Sequence, residues 1–372
     1  MFANALGIRL LLLIGKTIPL PASYDITSAL VKVEVTNDAR SGDGFQMTFS
    51  LGKGIVDYTL FRGGTFDPGT RVVIAVVLGI LPEVLIDGII THHQVAPSND
   101  PGMSTLTVTG SDVSIMLDME EKNGKHENQP DFLIFTKLIG QYAKYGLVPQ
   151  PTPTTDIPLM IQRTPRQQET DLKYIRRMAQ RNGFVFYIEP VTVGVNKAYF
   201  GPENRLKIPQ PALSMNMGPS TNLDSLSFSL DGLAPVGTKG KFVEPITKLA
   251  IPIPSLPSLK IPPLALSPTP ALRTTLLRET SKQNAGQAAT SAIAAVTNAP
   301  DSVRGEGKVD TLRYGHVLRA RGVVGVRGAG LSYNGNFYVQ RVSHSISRGQ
   351  YTQSFSISRE GTRSTTPIVR PS

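Results

Sequence analysis

Cysteine is absent from this chain of 372 residues. That excludes a disulfide framework, a thiolate zinc knot and any thiol chemistry, and it suits a protein built in a reducing cytoplasm. Long apolar runs are missing too. The longest, Leu10–Ile14 and Val72–Leu81, fall well short of the ~20 residues that cross a bilayer as a helix. The opening "MFANALGIRLLLLIGKTIPLPAS" has the outline of a signal peptide, but Lys16 cuts the apolar stretch and no basic region precedes it. It reads as a first β-strand and turn.

The residue patterns of common catalytic sites are equally scarce. The five histidines are His92, His93, His126, His316 and His344, and no pair has the i, i+4 spacing of a helical zinc site. His344 lies between Ser343 and Ser345, but neighbours on a strand point to opposite faces and cannot form a nucleophile–base pair. No G-x-S-x-G elbow occurs. "GLAPVGTKGK" has Gly232 and Gly237 at phosphate-loop spacing, yet Thr238 precedes Lys239 and proline-rich sequence follows where the loop's helix should begin. Glu120 and Glu121 sit in a polar loop, and two distant carboxylates converging as in a glycosidase stay open at this level. We assign no catalytic, metal or cofactor-binding residue. The formal charge is +10, which fits nucleic acid, an anionic surface or simple solubility. The arginines between Arg304 and Arg348 lack the aromatic interleaving of a strand-binding platform and any reading helix.

What is present is mostly strand. From Leu30 to Asp112, "LVKVEVTND", "GFQMTFSLG", "TRVVIAVVLG", "EVLIDGIITHHQV" and "STLTVTGSD" are β-rich and punctuated by Gly, Asn, Asp and Pro, as in an antiparallel barrel or sandwich. Helical periodicity then takes over. Phe132, Phe135, Leu138, Ile139 and Tyr142 share one face, with Gly146 placed to end the helix. A second helix is expected from Thr164 as N-cap, with Pro165 at its first position, Gln167 completing a capping box and Gly183 terminating it. Leu172, Ile175, Met178 and Ala179 form its buried stripe, and "FVFYIEP" is a strand packed on that stripe. "NLDSLSFSLDG" returns to alternation. The run "VEPITKLAIPIPSLPSLKIPPLALSPTPALR" should lie extended along a surface and either dock a partner chain, because its Leu and Ile residues are unlike a free Gly/Ser linker, or be a tolerated loop insertion. "NAGQAATSAIAAVTNAP" fits a short helix or a flexible arm.

The sequence also echoes itself. "PGTRVVIAVV" leads to "LIDGIITHHQV" much as "YGHVLRARGVVGVRG" leads to "YNGNFYVQRVSHSISRGQYTQSFSISRE", with Ile90-Thr91-His92 matching Val342-Ser343-His344. Two related β-units are expected.

Two motifs resemble the phage late control D and VgrG-type baseplate hub family. The first is "RQQETDLKYIRRMAQRNGFVFYIEP", whose E-x-D-L entry brings Asp171 and Leu172, whose body brings Arg176 and Arg177, and which ends on Gly183. The second is "YNGNFYVQRVSHSISRGQYTQSFSISR", with Tyr338, Val342 and His344, then Tyr351, Phe355 and Arg359. The resemblance implies a mainly β (α+β) fold, two tail-tube-like antiparallel β-barrels with a small inserted α/β domain. The expected division is a first barrel at 1–115, the α/β domain at 116–211, a second barrel at 212–238 plus 301–372, and a Pro/Ala-rich insertion at 239–300. It implies a homotrimeric structural hub whose barrels form a pseudo-sixfold ring, adapting a hexameric tail tube to a trimeric spike in a phage tail or contractile injection particle assembled in the bacterial cytoplasm. Partners are the tube, spike and baseplate proteins, with no cofactor, and nucleic acid only in transit. No OB domain or β-helix follows the closing hairpin, so a separate spike protein is expected. Arg319, Arg321, Arg327 and Arg341 are candidate channel-lining or partner-facing residues, with solvated arginines on a β-surface as the alternative. A free binding module, and behind it a cell-wall hydrolase, are the alternatives.

Overall fold

The computed structural model describes residues 7–366 and 369, except 17, 53–59, 61–63, 80, 101, 155, 157–163, 244–247, 255–257 and 278–284. The first β region comprises β1 (Arg9–Gly15), β2 (Leu20–Pro21), α1 (Tyr24–Ala29), β3 (Leu30–Asp38), β4 (Gly44–Ser50), β5 (Arg71–Val77), β6 (Pro82–Ala96) and β7 (Thr105–Asp112). β1 and β2 are the expected strand and turn, paired antiparallel through Leu13 and Pro21. Alternation places Val33, Val35, Phe45, Met47, Phe49, Leu106 and Val108 on one face, buried in a common core.

Next come β8 (Glu121–Lys125), α2 (Asp131–Gly140), β9 (Leu147–Pro151), β10 (Arg166–Thr170), α3 (Asp171–Asn182), β11 (Val185–Thr192) and β12 (Val195–Gly201). Leu172, Ile175, Met178 and Ala179 of α3 share a core with Phe135, Leu138 and Ile139 of α2 and with Phe186 and Ile188 of β11. Ile134 is buried in place of the expected Phe132, which is only half-buried. The second helix begins later than its sequence suggests. Residues 166–170 are a strand paired with 121–125, and Thr170, not Thr164, is the N-cap, its hydroxyl accepting from the Lys173 amide at 3.3 Å. Both threonines offer a start, and the pairing with β8 selects the second. Gly183 ends the helix in the left-handed region, with φ +68°. A Cβ there would also lie 3.1 Å from the Ala294 backbone, so the position needs glycine twice over.

The second β region comprises β13 (Gln210–Ser214) and β14 (Leu223–Leu230). It resumes at β20 (Val303–Asp310) after the insertion elements β15 (Val236–Lys239), β16 (Lys241–Val243), β17 (Ala250–Pro252), β18 (Ala265–Pro268), β19 (Arg273–Leu276) and α4 (Ala285–Asn298). It closes with α5 (Thr311–Tyr314), β21 (Val323–Arg327), β22 (Gly335–Ser347), β23 (Gln350–Arg359) and β24 (Gly361–Ser364). Parts of the Pro-rich run, 244–247 and 255–257, lie outside the described residues. Its described remainder is not a bare extended arm. β18 pairs with β24, and α4 lies against the end of α3, where the Asn298 side chain donates to the Gln180 carbonyl at 2.8 Å. The insertion therefore docks on its own chain.

The echo is real at the level of strand pairing. The first region pairs in the order β3-β4-β7-β6-β5-β1, and the second in the order β14-β20-β23-β22-β21-β13. Two of the irregularities coincide. β3 and β14 shift register between Leu30 and Lys32 and between Leu223 and Ser225, and β6 and β22 do so before His92 and Arg341. The repeats differ at one end, where β1 pairs antiparallel with β5 while β13 pairs parallel with β21. The sequence alignment of the echo needs correction, because the matching bulges equate Ile90 with Val339 rather than Val342. The two histidine positions are consequently not equivalent. One joint, β22 with β3, fuses the repeats into a continuous sheet.

Candidate functional site

The arginines expected to face a channel or partner mostly do something else: they staple the two repeats together. Arg319, near β21, reaches the first repeat, donating to the Glu83 carboxylate at 2.8 Å and the Val84 carbonyl at 2.6 Å. Arg341 on β22 donates to Asp38 at 2.8 Å and stays half-exposed. Arg321 corrects the expectation outright, because it is buried, with only 3% of its surface exposed. Its guanidinium forks onto the Asp43 carboxylate, donates to the carbonyls of Asp38 and Ile188, and lies 4.4 Å from the centre of the Tyr187 ring. One side chain thus ties the second repeat to the first and to the α/β region. Burial pushes the Asp43 carboxyl up to about 6, with Arg321 opposing and Asp112 adding to the shift. Arg327 is half-buried at the end of β21.

The motif residues around α3 are positioned by packing. Asp171 is fully buried and accepts from Lys122 at 2.6 Å, from the Tyr142 hydroxyl at 2.7 Å and from Gln167 at 2.6 Å. This anchors β8, β10 and the end of α2 at the helix N-terminus, where a carboxylate also meets the positive end of the helix dipole. Leu172 is in the core. Arg176 points toward the 38–43 loop of the first repeat, its guanidinium 3.4 Å from the Ser41 carbonyl. Arg177 pairs with Glu169 at 2.7 Å and lies over the Tyr174 ring.

The closing hairpin runs through two cores. Val339, Val342, Phe355 and Ile357 belong to the second repeat's core, whereas Ile346 and Tyr351 belong to the first repeat's. Between them His344 faces Gln353 across the hairpin. His344 Nδ1 lies 2.9 Å from the Tyr351 hydroxyl, and burial, with Arg319 adding repulsion, brings the imidazole down to about 3. It is a neutral, hydrogen-bonded hairpin histidine with 1% exposure. Tyr338 is buried beside Ala39 and Leu264. Arg359, fully buried, donates to the backbone carbonyls of Gly361, Asn334 and Ser332 and stacks over Phe337.

A second charged centre has no sequence signal. Arg205 contacts Glu203 and Asp301 at 3.2 Å and Glu360 at 2.7 Å, Lys260 adds a contact to Asp301 at 2.8 Å, and Arg40 reaches Glu203 at 2.9 Å. Burial pushes Asp301 up, but Lys260 and Arg205 outweigh it and leave its carboxyl below the usual range. These residues bring together both repeats, the α/β region and the insertion. Their spacing along the chain follows no period, so only the fold assembles them. Among the described residues no group of three His, Asp or Glu is placed to hold a metal ion.

The chemistry on view is therefore adhesive, with buried charge spent on fixing one region against another. No protein-family model matches the chain, and no curated protein sequence does either. Solved structures do. A tail protein from Neisseria meningitidis superimposes with a TM-score of 0.64 at 14% identity, over 96% of this chain and 98% of that one. The 43 kDa tail protein of prophage MuSo2 from Shewanella oneidensis gives 0.61 at 13% identity, over 95% and 98%. An Escherichia coli component of the type VI secretion system, described as similar to the T4 tail proteins gp27 and gp5, gives 0.56 at 12% identity, over 92% and 77%. The mainly β fold expected from the two motifs is thus the fold of phage tail proteins and their type VI secretion counterparts.

Proposed function

We propose that this chain is the structural, non-enzymatic baseplate hub of a contractile phage tail or phage-like injection system. Three copies form a ring that adapts a hexameric tail tube to a trimeric spike. The observation that carries this reading is the duplicated strand order within one chain, down to matching bulges. A trimer of such chains presents about six like units to a sixfold tube while remaining threefold toward a spike. In this reading the units are 1–115 and 212–238 plus 301–372, with 116–211 as a small α/β domain and 239–300 as the insertion. Its partners are the tube, the spike and the baseplate, and it is a part of the particle after assembly in the bacterial cytoplasm. The exposed Leu266, Leu272 and Leu276 of the insertion meet a neighbouring subunit or baseplate protein.

The test is electron microscopy of particles recovered from native cells through a tag on this protein. Density for three copies between a sixfold tube and a tapering spike is the expected result. A small free protein with no tube attached would overturn the reading.

A further inference from the structure

The repeat leaves two strand edges over. The internal joint runs antiparallel from Arg341↔Asp38 through Ser343↔Thr36 to Ser347↔Lys32. In the repeat, β22 corresponds to β6 and β3 to β14. The β6 and β14 segments are thus the same two halves of a joint, and within this chain they do not meet. β14 pairs with β20 on one side, and among the described residues no strand lies on its other side. β6 pairs with β5 through Ile89, and the Ile90 amide and carbonyl bond Thr70 and Gly69. Beyond that point, among the described residues, β7 is its one partner strand.

The β14 edge is protected only at its start, where the bulge between Leu223 and Ser225 lies, and runs regular from Ser225 to Leu230. Its sequence "LDSLSFSL" holds no Lys and no Pro, and Asp224 is its single charge. The regular stretch from Ser225 to Leu230 invites pairing with another chain unless something covers it. Leu230, half-exposed at 51%, lies at its end.

We propose that residues 92–96 of β6 in one copy pair antiparallel with residues 227–231 of the next copy, in the register of the internal β22–β3 joint. The proposal rests on the trimeric hub reading for the number of copies, with internal and intermolecular joints alternating around the ring. Side chains agree with the register at three of its five positions. Arg341 on Asp38 in the internal joint becomes His92 opposite Asp231. The Ser343 and Thr36 hydroxyls, 3.0 Å apart, become Gln94 opposite Ser229. His344 opposite Val35, both buried, becomes Val95 opposite Phe228, two half-buried apolar residues that a joint would cover. A heterologous contact of this type closes into a ring when its rotation permits.

The absence of native cysteine makes the test clean. Gln94→Cys with Ser229→Cys should, on mild oxidation, give a reducible three-chain species on a denaturing gel. Gln94→Cys with Ser225→Cys should not, because a shift of four residues, about 13 Å, exceeds the roughly 7 Å limit for a disulfide. Thr36→Cys with Ser343→Cys, at the equivalent internal place, should bridge within one chain and verifies folding and chemistry. If that control bridges and the Gln94/Ser229 pair does not, the proposal falls. Running the assay on the tagged particles separates the two ideas. A hub present at the tube tip without the bridge overturns the joint alone, and a chain found in no particle and unbridged overturns both.

Discussion

Arg321 closes on Asp43 across 278 residues of sequence, and both are buried. Few interactions are as costly to halve. Arg321→Ala leaves a carboxylate buried without its cation and should lower stability by about 3–5 kcal/mol. Arg321→Lys keeps the charge but loses the planar fork, so it should fall between the two. Asp43→Ala combined with Arg321→Leu should cost less than the sum of the single changes, because the two sites share one interaction. Urea unfolding of the parent, Asp43→Ala, Arg321→Leu and the double variant checks this, and additive losses would show that the pair is not coupled.

Acid should weaken the closing hairpin through His344. Its folded pKa, about 3, lies below the ordinary imidazole value of 6.5, so between those values the unfolded chain binds a proton that the folded chain does not. Stability therefore falls as pH drops from about 6.5 toward 3, by up to about 1.4 kcal/mol per pH unit for this group. His344→Gln removes that term. The variant should be weaker than the parent at pH 7, and the gap should narrow at pH 4.5. A gap that stays constant across denaturation curves at the two values would contradict this.

Some of this was legible in the sequence. The stripe of α3, its stop at Gly183 and the alternation of β23 are local patterns, and local patterns survive in any fold that buries one face. The start of α3 was not, because Thr164-Pro165 and Thr170-Asp171 both offer a cap and the choice is made by β8, some forty residues away. Arg321 carried no mark to distinguish it from Arg341, since its burial is decided by Asp43. The repeat was visible, but its register was hidden by bulges that change which face each residue occupies. The charge centre around Arg205 draws on segments scattered from Arg40 to Glu360, and no sequence window contains it.

That centre supplies a further prediction. Lys260, with 7% of its side chain exposed, is the insertion's contribution to Asp301. Lys260→Met should destabilise the chain by about 3 kcal/mol or somewhat less, since Arg205 and the Ser358 hydroxyl still hold Asp301. Because Asp301 is held below its ordinary pKa, its contribution is present above pH 4 and is lost on acidification through the folded pKa. The variant should therefore differ from the parent most at neutral pH. Calorimetric midpoints at pH 7 and pH 3 measure this, and a larger difference at pH 3 would contradict it.

The outer face of the insertion can be separated from its docking. Deleting residues 245–272 would remove Lys260 together with the Leu264 and Ala265 amides that donate to Glu360, so lost assembly would not distinguish misfolding from a missing partner surface. Leu266, Leu272 and Leu276 are 65%, 70% and 68% exposed, and surface substitutions of this kind usually change stability by no more than about 0.5 kcal/mol each. Changing all three to Ser should thus leave the unfolding midpoint of the free chain nearly unmoved. If these leucines meet a neighbouring subunit or baseplate protein, the same triple variant should lose most of its incorporation into particles, measured as tagged hub recovered per tube. Wild-type incorporation with an unchanged midpoint would assign these leucines to bare surface and leave the insertion with an intramolecular role only.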